Sequence, residues 1–213
     1  MGFLNLLQQE AAGPLSIRQQ DLLASANFSL GQVQLLLQDL LDFSRLEHNR
    51  LELQPVSFDL FLLVKNSLDQ FSLMAEAAKV RLVGCFKVAA EYPVYGDPAR
   101  FSQCLNNLIV NALKFSPQGG SVAVSIDCQA AEYVIKVQDE GPGISPENRE
   151  AIFTRHFQTA NGALHHLSGY GLGLSITKEL IGRQGGRVWL ESTSGQGSTF
   201  FLSLPRTIEV NQA

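Results

Sequence analysis

"DPARFSQCLNNLIVNALKFS", residues 97–116, reads as one helix from end to end. Asp97 can accept the free N–H groups of a first turn, and Pro98 suits the first helical position, where no N–H is needed. Apolar residues fill most of the later positions. Asn107, Asn111 and Lys114 interrupt them at i, i+4 and i+7, which sets three polar groups in one line on one face. A stripe facing solvent would explain them. So would a site: amide oxygens suit a hard cation such as magnesium, which keeps waters and shares phosphate oxygens, and Lys114 would bring positive charge to the same phosphates.

Downstream, "SVAVSIDC" (121–128) and "EYVIKVQD" (132–139) alternate or run apolar and β-branched, as paired strands do. "DEGPGIS" (139–145) follows, with the strand ending at Asp139 and Gly141 and Gly143 in a tight turn. A carboxylate beside bare backbone can accept a hydrogen bond from an exocyclic amine such as that of adenine. An ordinary turn with a solvated aspartate accounts for the same residues equally well. Residues 153–170 show no clear period and read as a long loop, a form that compact domains often give to functional lids. "GYGLGLSITKELIGRQGG" (169–186) places glycine at 169, 171 and 173, then becomes a helix that stops at the glycine C-cap Gly185–Gly186. The G-x-G-x-G spacing after a polar loop is neither a dinucleotide fingerprint nor a P-loop. It is a loop entering a helix N-terminus, whose free N–H groups suit phosphate. "RVWLES" and "STFFLSLP" close the domain as a hairpin around "TSGQG".

Upstream, "VRLVGCF" (80–86) is a strand candidate, and Ser57, after Pro55, is placed to cap a helix over about 58–78. Residues 16–50 read as one long helix with Ser16 as N-cap. Leu23, Ala26, Leu30, Val33, Leu37 and Leu40 repeat at 3-4-3-4-3 spacing, the a/d seam of a bundle or coiled coil. Residues 2–10 look like the end of a second helix. An arm that short cannot bury the stripe, so dimerisation is the expected remedy.

Composition excludes several classes. Hydrophobic residues make up 45% and charged residues 17%, which fits a globular chain with a sizeable core. A net charge of −4 without a Lys/Arg run argues against nucleic-acid binding. Cys85, Cys104 and Cys128 are odd in number and lack C-x-x-C spacing, so reduced core thiols are expected rather than a disulfide framework or a zinc site. No apolar run is long enough for a membrane span, the N-terminus lacks a basic signal-peptide start, and Leu6 stands where myristoylation wants Ser or Thr. A soluble chain is expected.

In their order, the three motifs resemble the N, G1 and G2 boxes of the ATPase superfamily of DNA gyrase, heat-shock protein 90, histidine kinases and the MutL repair proteins. The chain is most similar to the sensor histidine kinases. "GDPARFSQCLNNLIVNALKFSPQGG" resembles their N box, "VQDEGPGIS" the G1 box, "IFTRHF" the F box and "GYGLGLSITKEL" the G2 box. "GGRVWLESTSGQGSTFFLSLP" resembles their last strands, and "LLQDLLDFSRLEHNRLELQPVSFDL" the second helix of their dimerisation domain with its link to the catalytic domain.

The resemblance implies an α+β fold: a two-layer α/β sandwich of the Bergerat type, a mixed sheet with helices on one face, and ATP between the helices and a mobile lid. It implies a helical hairpin of a dimeric four-helix bundle at residues 1–54, an ATP-binding domain at 55–205 and a tail at 206–213. Asn111 would coordinate Mg2+. Asn107 would support it or the reacting phosphate, Lys114 would contact phosphate, and Arg155 would meet the γ-phosphate, which makes Asn107, Lys114 and Arg155 the catalytic set. Phe115 would lie near the adenine, Asp139 would receive its amine, and Gly141 and Gly143 would shape that wall. Gly169, Gly171, Leu172 and Gly173 would bring backbone N–H groups to the phosphates. The implied partners are a response regulator receiver domain and a second copy of the chain, with no nucleic acid and no membrane contact. The implied setting is cytoplasmic, whether the parent protein is membrane-anchored or soluble.

The departures are specific. The family's phosphoacceptor motif, a His followed by an acidic residue and often Arg-Thr-Pro, is absent, and "GFLNLLQQ" resembles the stretch after it. His48, His156, His165 and His166 do not stand where that acceptor does, and Gln158 occupies a place where relatives often have a second arginine. The chain is therefore expected to bind ATP without phosphorylating itself. Two other readings stay open: a dimerisation or binding module with a regulatory nucleotide site, and another ATPase of the superfamily.

Overall fold

The computed structural model describes residues 13–20, 51–86, 92–155, 157 and 171–206, with 22, 23, 26, 30, 37, 41, 42, 44–46 and 48. The chain divides into two units, Met1–Arg50 and Leu51–Ala213. In the first, residues 17–20, 22, 23, 26, 30, 37, 41, 42 and 44–46 are helical, as the heptad seam predicts. The arm at 2–10 and the seam positions Val33 and Leu40 lie outside the described residues.

The second unit runs β1 (Val56–Asp59), α1 (Leu60–Ala78), β2 (Arg81–Cys85), β3 (Pro93–Gly96), α2 (Pro98–Phe115), β4 (Ser121–Cys128) and β5 (Glu132–Asp139). Short 3-10 turns come next at Pro146–Asn148 and Ala151–Phe153, then α3 (Gly173–Arg183), β6 (Arg187–Ser192) and β7 (Ser198–Pro205). Five strands form one mixed sheet in the order β2-β4-β5-β7-β6, with β2 parallel to β4 and the other pairs antiparallel.

Period-2 alternation sends one face of the sheet toward the helices. Register aligns Val122, Val124 and Ile126 with Asp139, Val137 and Ile135, and these with Ser198, Phe200 and Leu202. All nine are buried, as are Leu60 and Val64 of α1, Phe101, Leu105, Leu108 and Ile109 of α2, and Ile176, Leu180 and Ile181 of α3. Asp139 thus ends its strand on the helix side, because it shares parity with Ile135 and Val137. On the other face Trp189 stacks on Phe201 at 4.9 Å, with the Arg187 guanidinium 4.6 Å over the indole. The architecture is the two-layer α/β sandwich that the motifs imply.

Three expectations are corrected. Residues 56–59 are a strand, not the start of a helix: they pair antiparallel with Pro93–Gly96 as a separate two-stranded sheet. The cap of α1 is accordingly Asp59, whose carboxylate accepts the Phe61 N–H at 2.8 Å, and not Ser57. Of the three cysteines only Cys104 is in the core; Cys85 and Cys128 are exposed. Residues 51–54 belong to the second unit, where Leu51 is buried and the Gln54 N–H donates to Asp97 Oδ2 at 2.9 Å.

Asp97 organises the helix layer. Its Oδ1 accepts from the N–H groups of Ala99 and Arg100 at 3.0 and 3.1 Å, which caps α2. Its own N–H donates to Gln184 Oε1 at 2.8 Å, just past the end of α3. The start of α2 therefore meets the end of α3, and the two helices lie side by side in opposite directions.

Candidate functional site

The antiparallel pairing brings the middle of α2 to the first turns of α3. Asn107 Nδ2 donates to the buried Thr177 Oγ1 at 3.1 Å, and Asn111 Nδ2 donates to Asn107 Oδ1 at 3.4 Å. Gly173, the first residue of α3, lies against the same amide. A Cβ there would sit inside contact distance of Asn107 Oδ1, so glycine lets the asparagine amide lie against the start of α3 as it does. Leu172 precedes it with its side chain buried, and Gly171 turns the chain into the helix with φ +68°.

At the far end of α2, Lys114 is half-buried with its Nζ 4.9 Å from the Phe115 ring. Burial pushes its pKa below the usual lysine value. The Phe115 carbonyl then meets the strand end that carries Asp139. A Cβ on Gly141 would come within 2.9 Å of that carbonyl and 2.8 Å of Asp139 Oδ1, so bare backbone is what joins helix to strand.

Asp139 is buried, and its Oδ1 accepts the Gly141 N–H at 2.8 Å and the Ser198 N–H at 3.2 Å. Desolvation raises its pKa above the usual carboxylate value; the two backbone donors oppose that shift without cancelling it. The turn after it is locked to the β6–β7 loop. The Gly195 N–H donates to the Pro142 carbonyl at 2.7 Å, and the Ile144 N–H to Ser192 Oγ at 2.8 Å. Gly143 has φ +70°, and a Cβ there would strike the Thr193 carbonyl.

The structure thus brings together Asn107, Asn111, Gly171, Leu172 and Gly173 on one side, and Asp139, Gly141, Gly143, Lys114 and Phe115 on the other. Arg155 is exposed, two residues past the 3-10 turn that buries Ile152. Gly169, Gln158, His156, His165 and His166 lie outside the described residues. Two contributors escape the sequence reading. Thr177 anchors the first asparagine. Its signal is faint, a hydroxyl within the stripe of Ile176, Leu180 and Ile181. The Ser198 N–H reaches Asp139 across the β5–β7 pair, a contact no local pattern reveals.

The donor set suits a magnesium nucleotide. Among the described residues no group of three or more His, Cys, Asp or Glu side chains could hold a metal. What α2 offers is amide oxygen, which suits a hard cation completing its shell with water and phosphate. Among them, too, no helix is long and apolar enough to cross a membrane.

Comparison with known proteins places the chain in a family. Residues 96–208 match the family described as "Histidine kinase-, DNA gyrase B-, and HSP90-like ATPase". The chain is 35% identical to the sensor protein GacS of Pseudomonas syringae pv. syringae over 96% of its own length and 23% of that protein. It is 35% identical to the histidine protein kinase DivJ of Caulobacter vibrioides over 96% of its length and 34% of that protein. It therefore spans about a quarter to a third of these relatives. Among solved structures, full-length ShkA in complex with AMPPNP matches 97% of this chain and 42% of that one, with TM-score 0.72 and 27% identity. The catalytic domain of the histidine kinase ThkA matches 72% of this chain and 98% of that one, with TM-score 0.63 and 25% identity. The chain belongs to the histidine kinase, DNA gyrase B and HSP90-like ATPase family, and its second unit is an ATP-binding catalytic domain of the sensor histidine kinase type.

Proposed function

We propose that this domain binds ATP with magnesium and passes the terminal phosphoryl group to a histidine outside residues 1–213, as the catalytic part of a two-component sensor kinase. One observation carries the reading. A line of helix amides suited to phosphate and a hard cation lies on α2, and the strand end that carries a buried carboxylate suited to an exocyclic amine abuts the end of that helix at the Phe115–Gly141 junction.

In this reading Asp139 accepts the adenine amine, with Gly141, Gly143 and Phe115 as its wall. Asn111 holds the magnesium ion, whose chemistry is to neutralise charge on the phosphates and orient them. Asn107 supports that ion or the reacting phosphate. Lys114 and Arg155 bring positive charge, and the backbone N–H groups of Gly169, Gly171, Leu172 and Gly173 take phosphate oxygens. Residues 1–50 serve as a dimerisation hairpin; the exposure of Ile17, Leu22, Leu37 and Leu41 supports this. A response regulator receiver domain then takes the phosphoryl group, in the cytoplasm.

Calorimetric titration with ATP, with and without magnesium, tests the site. Asn111→Ala should lose the magnesium-dependent part of the affinity, and Asp139→Ala should weaken every adenine nucleotide by about tenfold or more, as expected when a buried partner loses its acceptor. Unchanged affinity in both variants overturns the reading. With labelled ATP the chain alone should carry no stable phosphohistidine; label on any of its four histidines would move the acceptor inside it.

A further inference from the structure

The two asparagines raise a question that their positions alone do not answer. A side-chain amide has an oxygen end and a nitrogen end of nearly the same shape, and only the oxygen can ligate a cation. Something must set which end faces out. The contacts of α2 and α3 form a directed line. Asn107 Nδ2 points at Thr177 Oγ1, at 3.1 Å. Asn107 Oδ1 is the atom of that side chain nearest to the place a Cβ on Gly173 would take, at the N-terminus of α3. A helix N-terminus carries partial positive charge and favours an oxygen over an NH2 group. With Asn107 Oδ1 so placed, Asn111 can answer it only with Nδ2, at 3.4 Å, because two facing amide oxygens would repel. That leaves Asn111 Oδ1 pointing away from the line.

We propose that Thr177 is a positioning residue that, together with the N-terminus of α3, fixes the polarity of both asparagine amides, so that Asn111 presents oxygen and not nitrogen to the cation. Thr177 is 1% exposed and sits on the buried face of α3, so it touches no ligand itself. Its hydroxyl can donate or accept; because the N-terminus of α3 takes the oxygen end of the Asn107 amide, what remains for Thr177 is to accept from Nδ2. Without it that NH2 group would be desolvated and unsatisfied, and a flipped amide would compete. The inference rests on the reading of Asn111 as the magnesium ligand.

The test compares the unmodified chain with Thr177→Val, which keeps the shape and removes the hydroxyl, with Thr177→Ser, which restores it, and with Asn111→Ala. Each is titrated with ATP in excess magnesium and again in EDTA. Thr177→Val should lose about tenfold of the magnesium-dependent gain in affinity, the scale of removing a residue that orients a metal ligand. Its magnesium-free affinity should stay within about twofold, since valine keeps the β-branched shape and only the hydroxyl, which faces Asn107, is lost. Thr177→Ser should recover most of the gain. A full magnesium gain in Thr177→Val, beside a lost gain in Asn111→Ala, overturns the inference and leaves the site intact. Equal loss with and without magnesium in Thr177→Val also overturns it, by showing a packing role alone. An undiminished gain in Asn111→Ala brings down the site reading itself. Nuclear magnetic resonance of the unmodified protein supplies a measurement independent of any variant. The Asn107 side-chain NH2 should exchange slowly with solvent, and exchange as fast as that of an exposed asparagine overturns the inference.

Discussion

The two halves of the site are held by different parts of the chain. On the Asp139 side, backbone grips backbone: Gly141 lies on the Phe115 carbonyl, Gly143 on Thr193, and Gly195 donates to Pro142. On the Asn111 side, side chains grip side chains, through one threonine and two amides between two helices. The first arrangement is part of the fold, since the same contacts close the sheet's end. The second can be lost without unfolding anything. A site built this way keeps a rigid pocket for a flat ring and an adjustable end for phosphates and a cation.

The sharpest way to break that contrast is to put the same methyl group on each side. Gly143→Ala forces a β-carbon into the Thr193 carbonyl at φ +70°, and backbone cannot step aside. It should cost about 2–3 kcal/mol of stability, the scale of left-handed strain compounded by a clash, and lower the urea midpoint together with nucleotide binding. Gly173→Ala meets Asn107 Oδ1 instead, the end of a side chain that can rotate away. Its unfolding free energy should change by less than about 1 kcal/mol, with alanine's helix propensity offsetting part of the loss. Its magnesium-dependent ATP affinity should fall by about tenfold, which is about 1.4 kcal/mol. Equal effects on stability at the two positions would abolish the distinction.

Asp139→Asn sharpens the comparison by separating folding from binding on the rigid side. Burial raises the folded pKa of Asp139, so ionisation is easier in the unfolded chain. The stability it contributes is full below the ordinary carboxylate pKa and is lost as pH rises through the raised folded value. Above that window the ionised group costs stability, and an amide, whose oxygen can still accept from Gly141 and Ser198, removes the cost. Asp139→Asn should therefore be at least as stable as the parent at neutral pH in urea unfolding, and its stability should lose the parent's fall across the window. ATP affinity should drop about tenfold, because an amide holding both backbone donors with its oxygen turns NH2 toward the adenine amine. The parent's affinity should rise with pH through the same window, as the acceptor becomes charged.

How much of this was legible in the sequence depends on whether a feature is local. The helix at 98–115 follows from Asp97, Pro98 and its apolar texture, and the strands at 121–128 and 132–139 from β-branched runs. Asn107 and Asn111 stood out because polar side chains on an apolar helix need a reason. The strands at 56–59 and 93–96 did not stand out: each has four residues, one begins at a proline, and each exists only because the other pairs with it. Thr177 was hidden because a threonine in a helix signals nothing until its neighbour on the next helix is known. The closeness of Gly143 to Thr193 depends on a hairpin about 50 residues away, which no window contains.

Lys114 offers the smallest effect, and it probes the adjustable side from the rigid one. It stands one residue from Phe115 but is read as serving the phosphates. Lys114→Met keeps the aliphatic stem against the ring and removes the charge. Because the ammonium is half exposed, an ion pair with phosphate is worth no more than about 1 kcal/mol, so ATP affinity should fall by at most about fivefold. Adenosine, which lacks phosphate, should bind both forms alike. Burial already lowers the pKa of this lysine, and a phosphate beside it would raise it again. ATP affinity in the parent should thus decline as pH climbs through the lowered value, with a proton taken up on binding, and the methionine variant should lack that decline. Calorimetry in two buffers of different ionisation enthalpy measures the proton uptake directly. An unchanged uptake in Lys114→Met would assign the proton to another group and detach Lys114 from the phosphate end of the site.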